Sequence, residues 1–192
     1  LLGHSMGVNV VLDYYRQYPE RVAGMVLANG TAKRPLETMF HSNAMQAGFK
    51  FLDQAYRRIP KLVEAIWKLQ KLSPLTRPLV TFGGFNPHLT AREDIELYIQ
   101  QVAEMNPKIF LNLIRNYDCF DATSWLHTIR VPTMIIAGEH DHMTPIEEQE
   151  LLKQLIPNSR KEVIHHGSHC PQMDLPELVS LKIESFLASM NY

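Results

Sequence analysis

The sequence has only two cysteines, Cys119 and Cys170, in 192 residues. So few cannot build a disulfide framework, and their scarcity favours a reducing compartment, the cytoplasm. The chain has no apolar run of the ~18 residues that marks a membrane-spanning helix, so no membrane partner is expected. It has no excess of either charge: 19 Lys and Arg stand against 20 Asp and Glu, a formal net charge of −1. That balance argues against a polyanion-binding face, so no nucleic-acid partner is expected. Internal repeats and low-complexity tracts are missing too. What remains is 45% apolar and 20% charged, an ordinary globular composition with enough apolar material for one sizeable core.

The chain also opens without a Met or a leader, on Leu1-Leu2-Gly3, and is inside a motif within five residues. This start is expected to be internal to a longer protein, in which a targeting segment could precede Leu1.

Residues 3–7 read Gly-His-Ser-Met-Gly. Val8, Val11, Leu12 and Tyr15 follow at i, i+3, i+4 and i+7, one apolar stripe of a helix that Pro19 ends. Residues 25–30 form a short apolar run stopping at a Gly, expected to be a buried parallel strand. From 31 to 124 no strand pattern stands out and helix patterns dominate. Leu62, Val63, Ile66, Trp67 and Leu69 make one apolar face. Thr90-Ala91-Arg92-Glu93 is a capping box before a helix bearing Ile95, Tyr98, Ile99 and Val102. Pro107 starts another helix towards Tyr117, and Pro74, Pro78, Gly83, Gly84 and Pro87 mark expected irregular connections. Alternation then resumes: a strand at 133–138, a capping box Thr144-Pro145-Ile146-Glu147 opening a helix with Leu151, Leu152, Leu155 and Ile156, and a short strand at 161–164. A last helix opens at Pro176, with Val179, Ile183, Phe186, Leu187 and Met190 towards the core. Strand–helix alternation of this kind predicts an α/β fold, a mostly parallel sheet flanked by helices, with a helical insertion.

Gly-x-Ser-x-Gly between a strand and a helix is a nucleophile-elbow pattern. A tight turn lifts the Ser5 hydroxyl above the sheet edge, and Gly3 and Gly7 relieve crowding in it. The helix starting at Met6 aims its N–H groups at the site, so the Met6 N–H is a candidate oxyanion donor. A serine hydroxyl needs a base, and the base an orienting acid. Asp141 lies just past the strand at 133–138, and His169 just past the strand at 161–164. The carboxyl ends of parallel strands are where sites form, so both converge on the end of the sheet that carries Ser5.

On these residues the chain resembles the α/β-hydrolase superfamily, in its cap-bearing esterase and C–C hydrolase type. The resemblance extends to Tyr18-Pro19-Glu20-Arg21-Val22, Leu126-x-x-Ile129-x-x-Pro132, Gly138-Glu139-x-Asp141, and Gly167-Ser168-His169 followed by Pro176-Glu177. It implies Ser5 as nucleophile, Asp141 as acid and His169 as base. It implies that residues 1–30 and 125–192 form the hydrolase core, and that 31–124 form a helical cap. It also implies that the chain corresponds to the C-terminal part of the fold. Further strands would then precede Leu1, with the loop that completes the oxyanion hole, and this stretch alone is expected to be inactive or poorly soluble.

Each site residue has a rival. Glu139 and Asp174 compete with Asp141, but Glu139 is so close to the strand end that a structural contact is expected, and Asp174 is expected to cap the helix at Pro176. A serine at the elbow argues against carboxylate-nucleophile chemistry. Cys170 adjoins His169, but adjacent side chains rarely face each other. His140, His142, His165, His166 and His169 invite a metal reading, but His140 and His142 sit in a loop, and metal ligands usually need completion by a carboxylate or cysteine and support from neighbouring groups, so no metal is assigned. His4 and His140 are expected to shape the substrate pocket.

The expected function is hydrolysis of a small to medium, apolar ester or related carbonyl substrate through an acyl-enzyme, with no cofactor. The alternatives are a C–C bond hydrolase or perhydrolase with the same triad, and a non-catalytic relative.

Overall fold

The structure is a computed structural model that describes residues 1–70 and 73–190. Four strands, β1 (Leu2–His4), β2 (Met25–Ala28), β3 (Thr133–Gly138) and β4 (Ser159–Ile164), form one parallel sheet in the order β1-β2-β3-β4. The register sets Leu2 opposite Val26, Val26 opposite Met134, and Met134 opposite Arg160. Parallel neighbours need crossovers, and helices supply them. Helix α1 (Met6–Gln17) joins β1 to β2. Six helices fill the β2–β3 connection: α2 (Pro35–Thr38), α3 (Ala44–Arg58), α4 (Pro60–Leu69), α5 (Thr76–Gly84), α6 (Arg92–Glu104) and α7 (Pro107–Asp118). Helix α8 (Ile146–Leu155) joins β3 to β4, and α9 (Pro171–Asp174) and α10 (Pro176–Ser189) follow.

Side chains of a strand alternate between faces, and both faces of this sheet are covered. Leu27 and Ile135 pack with Val8, Leu12, Leu152 and Ile156 of α1, α8 and the residue closing α8. Val26, Met134, Ile136 and Ile164 pack on the other face with Val179 and Phe186 of α10. Each fully buried side chain of this size contributes roughly 1.5–3 kcal/mol of transfer free energy. The sheet and its covering helices therefore form a rigid base under the strand ends.

The long insertion leaves and returns at one neck. Ala122 N–H donates to Ala32 O at 2.9 Å and Arg34 N–H to Phe120 O at 3.1 Å. Its far end rests on the loop after β4: Phe85, Ile95 and Ile99 cluster with Cys170.

The structure departs from the sequence pattern in three places. The apolar face expected on α4 is split: Val63 is buried, whereas Leu62, Ile66 and Leu69 are 53%, 59% and 59% exposed. Pro78, Gly83 and Gly84 lie inside α5, not in a connection. Proline is tolerated in a first helical turn, where no i−4 partner is lost, and that is where Pro78 stands. Neither capping box forms: the N-cap positions of α6 and α8 are Ala91 and Pro145, without side-chain caps. Both threonines are instead drawn to buried carboxylates, Thr90 to Asp174 and Thr144 to Asp141. A hydrogen bond to a charged acceptor is stronger than one to a helix N–H, and the tertiary partner prevails.

Candidate active site

The turn from β1 into α1 takes place at Ser5, whose φ of 54° and ψ of −124° lie in a region that non-glycine residues avoid. Two backbone hydrogen bonds hold it there, Ser5 N–H to Ala28 O at 2.9 Å and Val8 N–H to Ser5 O at 3.0 Å. The strain is compatible only with a close approach of α1 to β1. A Cβ on Gly3 would run into the Gly7 carbonyl and lie 2.8 Å from Val8 N. Gly7 differs from expectation: a Cβ there would meet open space. Of the two elbow glycines, Gly3 is the one that sterics demand.

The loop after β3 carries Asp141 and the loop after β4 carries His169. His169 Nε2 lies 2.9 Å from Ser5 Oγ, and His169 Nδ1 lies 2.9 Å from Asp141 Oδ2. Asp141 and His169 are each only 5% exposed. The Asp141 carboxylate is further held by Met143 N–H at 2.8 Å, Thr144 N–H at 2.9 Å and the Thr144 hydroxyl at 2.7 Å. With Nδ1–H donating to Asp141, Nε2 is left to accept the Ser5 hydroxyl proton; that tautomer is assigned from the network. The structure thus joins Ser5, His169 and Asp141 in one chain of contacts. Met6 is the first residue of α1, so its N–H has no acceptor within the helix and stands beside Ser5.

The expected rivals of Asp141 have other work. Glu139 accepts the His166 N–H at 2.9 Å. Asp174 does not cap α10. It is buried and receives Ser168 N–H and Ser168 Oγ–H at 2.6 Å each, Asn86 N–H at 3.1 Å, and the Thr90 hydroxyl. It therefore ties the residue before His169 to the inserted helices. Cys170 is buried, and that burial, with the Asp174 carboxylate nearby, pushes its thiol up to about 12, so it does not offer a thiolate at neutral pH.

Two residues were invisible as site residues in the sequence. Asn29, at the end of β2, donates to Ser168 O at 2.7 Å and His169 O at 2.9 Å, and accepts Gly138 N–H at 2.7 Å. It pins the histidine loop to the end of β3. Its signal in the sequence was only an amide ending an apolar run, which a buried strand end must satisfy. Tyr117, from α7, is buried near Ser5, and its hydroxyl makes no hydrogen bond among the described residues. Burial also raises its pKa above the ordinary phenol value. In sequence it was one aromatic of an amphipathic helix.

His4 was expected in the pocket and lies elsewhere. Its Nε2–H donates to His169 O at 2.6 Å, so it buttresses the base from behind. Desolvation, reinforced by the His169 ring, holds its pKa down to about 4, against 6.5 in the open. The unfolded chain therefore binds a proton that the folded chain refuses. Stability from this residue is fully present above about 6.5 and is lost as pH falls towards 4. The size is on the order of 3 kcal/mol. Urea unfolding at pH 7 and at pH 4.5 should show this loss, and His4→Gln should reduce the difference. An equal pH dependence in His4→Gln would show that other groups carry it.

His140 lines a cavity of about 850 Å³. Phe82 and Phe85 from the insertion and His142, His166 and Ser168 from the core loops share its lining. Phe82 stacks on His142 at 5.4 Å between ring centroids. Ser5 itself does not line this cavity; Ser168 is the lining residue adjacent in sequence to His169.

Comparison with known proteins agrees with this architecture. The sequence model described as alpha/beta hydrolase fold matches residues 1–176. The chain is 30% identical over 194 residues to the monoacylglycerol lipase ABHD6 of Mus musculus, with 100% of this chain and 55% of that protein covered. It is 25% identical over 194 residues to the 2-hydroxy-6-oxononadienedioate/2-hydroxy-6-oxononatrienedioate hydrolase of Cupriavidus pinatubonensis, covering 98% of this chain and 62% of that one. A thermophilic esterase from Thermogutta terrifontis superposes with a TM-score of 0.70 at 24% identity, over 100% of this chain and 65% of that chain, a likeness of fold. The chain spans 55% and 62% of the length of these two curated relatives. No helix among the described residues is long and apolar enough to cross a membrane.

Proposed function

Because the chain belongs to the alpha/beta hydrolase fold family, we propose that the protein is a serine hydrolase that cleaves a small to medium, apolar ester through an acyl-enzyme on Ser5. The observation that carries this is the contact chain Ser5 Oγ–His169 Nε2 at 2.9 Å and His169 Nδ1–Asp141 Oδ2 at 2.9 Å. His169 Nε2 takes the hydroxyl proton as Ser5 Oγ attacks the carbonyl carbon. The carbonyl oxygen, now an oxyanion, is met by the Met6 N–H at the positive end of α1. Asp141 holds the imidazolium that forms. Collapse expels the alcohol, which leaves with the proton from His169 Nε2. Water then gives a proton to Nε2 and attacks the acyl carbon, which frees the acid and restores the Ser5 hydroxyl. No cofactor enters any of these steps.

In this reading α2–α7 are a cap, supported by the closed neck at residues 32 and 122 and by the packing of Phe85 on the histidine loop. The cavity under α5 reaches Ser168, next to His169 in sequence, and its Phe82 and Phe85 walls suit an apolar group of a substrate that extends from there to Ser5. The test is fluorophosphonate labelling with mass-spectrometric mapping, beside turnover of p-nitrophenyl esters. Label on Ser5 is expected; an unlabelled Ser5 in folded protein would sink the proposal.

A second reading has one observation in its favour, the 25% identity over nearly the whole chain to a hydrolase of a dicarboxylic dienoate. The same triad would then cleave a C–C bond next to a ketone. Faster turnover of vinylogous diketones than of esters would select it.

Tyr117 is the cap's contribution to the reacting centre in this proposal. Its hydroxyl has no hydrogen-bond partner among the described residues and stands near Ser5, so it is available to donate to substrate oxygen. Tyr117→Phe should lower kcat/KM by roughly 10²-fold, the usual cost of one donor to developing charge. Stability should hold or rise slightly, because an unpaired buried hydroxyl is removed. Unchanged kinetics would leave Tyr117 as packing alone.

A further inference from the structure

We propose that Glu139, His140 and His166 form a binding site for one divalent transition-metal ion of the imidazole-preferring class, such as zinc, at the mouth of the cavity under α5. The proposal is independent of the role of Ser5. A ligand atom from each of the three residues lies within 4.8 Å of the others. Two imidazole nitrogens and a carboxylate oxygen are a donor set that zinc and nickel favour. His140 Nε2 stands 4.0 Å from Glu139 Oε2. A tetrahedral ion at about 2.1 Å from each ligand needs donors about 3.4 Å apart. Closing the set thus takes about 0.6 Å for this pair and at most about 1.4 Å for the widest, within the reach of rotation of exposed side chains, and all three are exposed.

The backbone beneath them is already interlocked. Glu139 N–H donates to Ile164 O at 3.1 Å and His140 N–H to Gly167 O at 2.8 Å. The Glu139 carboxylate accepts the His166 N–H at 2.9 Å, which couples one ligand to the backbone of another. Orientation of this kind by neighbouring groups is what separates a site from a chance cluster. His166 has a φ of 61°, a turn that brings its ring to within 6.0 Å of the His140 ring, centroid to centroid.

Both rings line the cavity. Three protein ligands leave a fourth tetrahedral position for water or for a polar group of a cavity occupant, as in open zinc sites. None of the three side chains takes part in the Ser5–His169–Asp141 chain. In sequence Glu139 and His140 stand side by side; the fold brings His166, 26 residues on, to meet them.

The test is calorimetric titration of the tag-free, chelator-treated protein with zinc chloride. One ion per chain should bind, and His140→Ala and His166→Ala should each weaken binding by roughly tenfold or more. His127→Ala, an exposed histidine outside the cluster, should leave binding unchanged. Thermal melts check that each variant is folded, and Glu139→Gln provides a third arm. The absence of saturable binding, or wild-type affinity in folded His140→Ala and His166→Ala, would overturn the proposal.

Discussion

Ser5→Ala should lower ester turnover by roughly 10⁴–10⁶-fold, the range seen when a triad serine is removed, and abolish fluorophosphonate labelling. The hydroxyl is the only atom lost. The Cβ that suffers the φ of 54° is the same in alanine, so the elbow keeps its strain and its backbone hydrogen bonds. The missing interaction is the 2.9 Å contact with His169 Nε2. A thermal midpoint within a few degrees of wild type is therefore expected, which separates loss of the nucleophile from loss of the fold. Residual hydrolysis would come from the imidazole acting on water beside the Met6 N–H. If folded Ser5→Ala retained turnover within tenfold of wild type, the nucleophile would lie elsewhere and the reading of the site would fall.

Asp141→Asn should cost about 10⁴-fold in turnover, as in serine hydrolases whose acid is made an amide. The reason is tautomeric. Asn can keep an oxygen at the Oδ1 position, where it accepts Met143 N–H and Thr144 N–H at 2.8 and 2.9 Å. Its amide nitrogen then stands at Oδ2, facing the Thr144 hydroxyl and His169 Nδ1. Thr144 can turn its hydroxyl to accept. His169 can accept at Nδ1 only by carrying its proton on Nε2, and a protonated Nε2 cannot take the Ser5 proton. The fold should survive while the base is disabled. Labelling should slow in parallel with hydrolysis. Near-normal rates would mean that another acid orients the imidazole, and Asp174 is too committed to Ser168 and Thr90 to be that acid.

These predictions mark where local and tertiary information divide. The elbow was legible because its requirements are local: a strand, a residue without Cβ at Gly3, and an apolar stripe at Val8, Val11, Leu12 and Tyr15. Asp141 and His169 were legible because parallel topology sends every strand's carboxyl end to the same side, so sequence position after a strand becomes spatial position. Within the insertion α4, α6 and α7 were legible, since an apolar period is a property of a short window, whereas α5 was hidden by its Pro and Gly residues. The insertion's faces were not legible. Which side of α4 is buried depends on what packs against it, and Leu62, Ile66 and Leu69 found no cover among the described residues.

The sequence by itself determined the fold class, the residues at the carboxyl ends of the strands, and the Ser, Asp and His that meet there, because strand–helix alternation converts chain order into geometry. Only the tertiary structure decided how those residues are held. Thr144 and Thr90 read as helix caps and became donors to Asp141 and Asp174, because a buried carboxylate outcompetes a helix end for a hydroxyl. His4 read as pocket lining and became a strut behind His169. Asn29 and Tyr117 read as ordinary strand and helix residues and came to lie against the histidine loop and Ser5. Each of these contacts joins residues 84 to 165 positions apart, except for that of Thr144, whose partner is three residues away and buried by the rest of the chain. Hydrogen-bond choice is set by burial and by the competing acceptors within reach, and neither is a property of a local stretch of sequence.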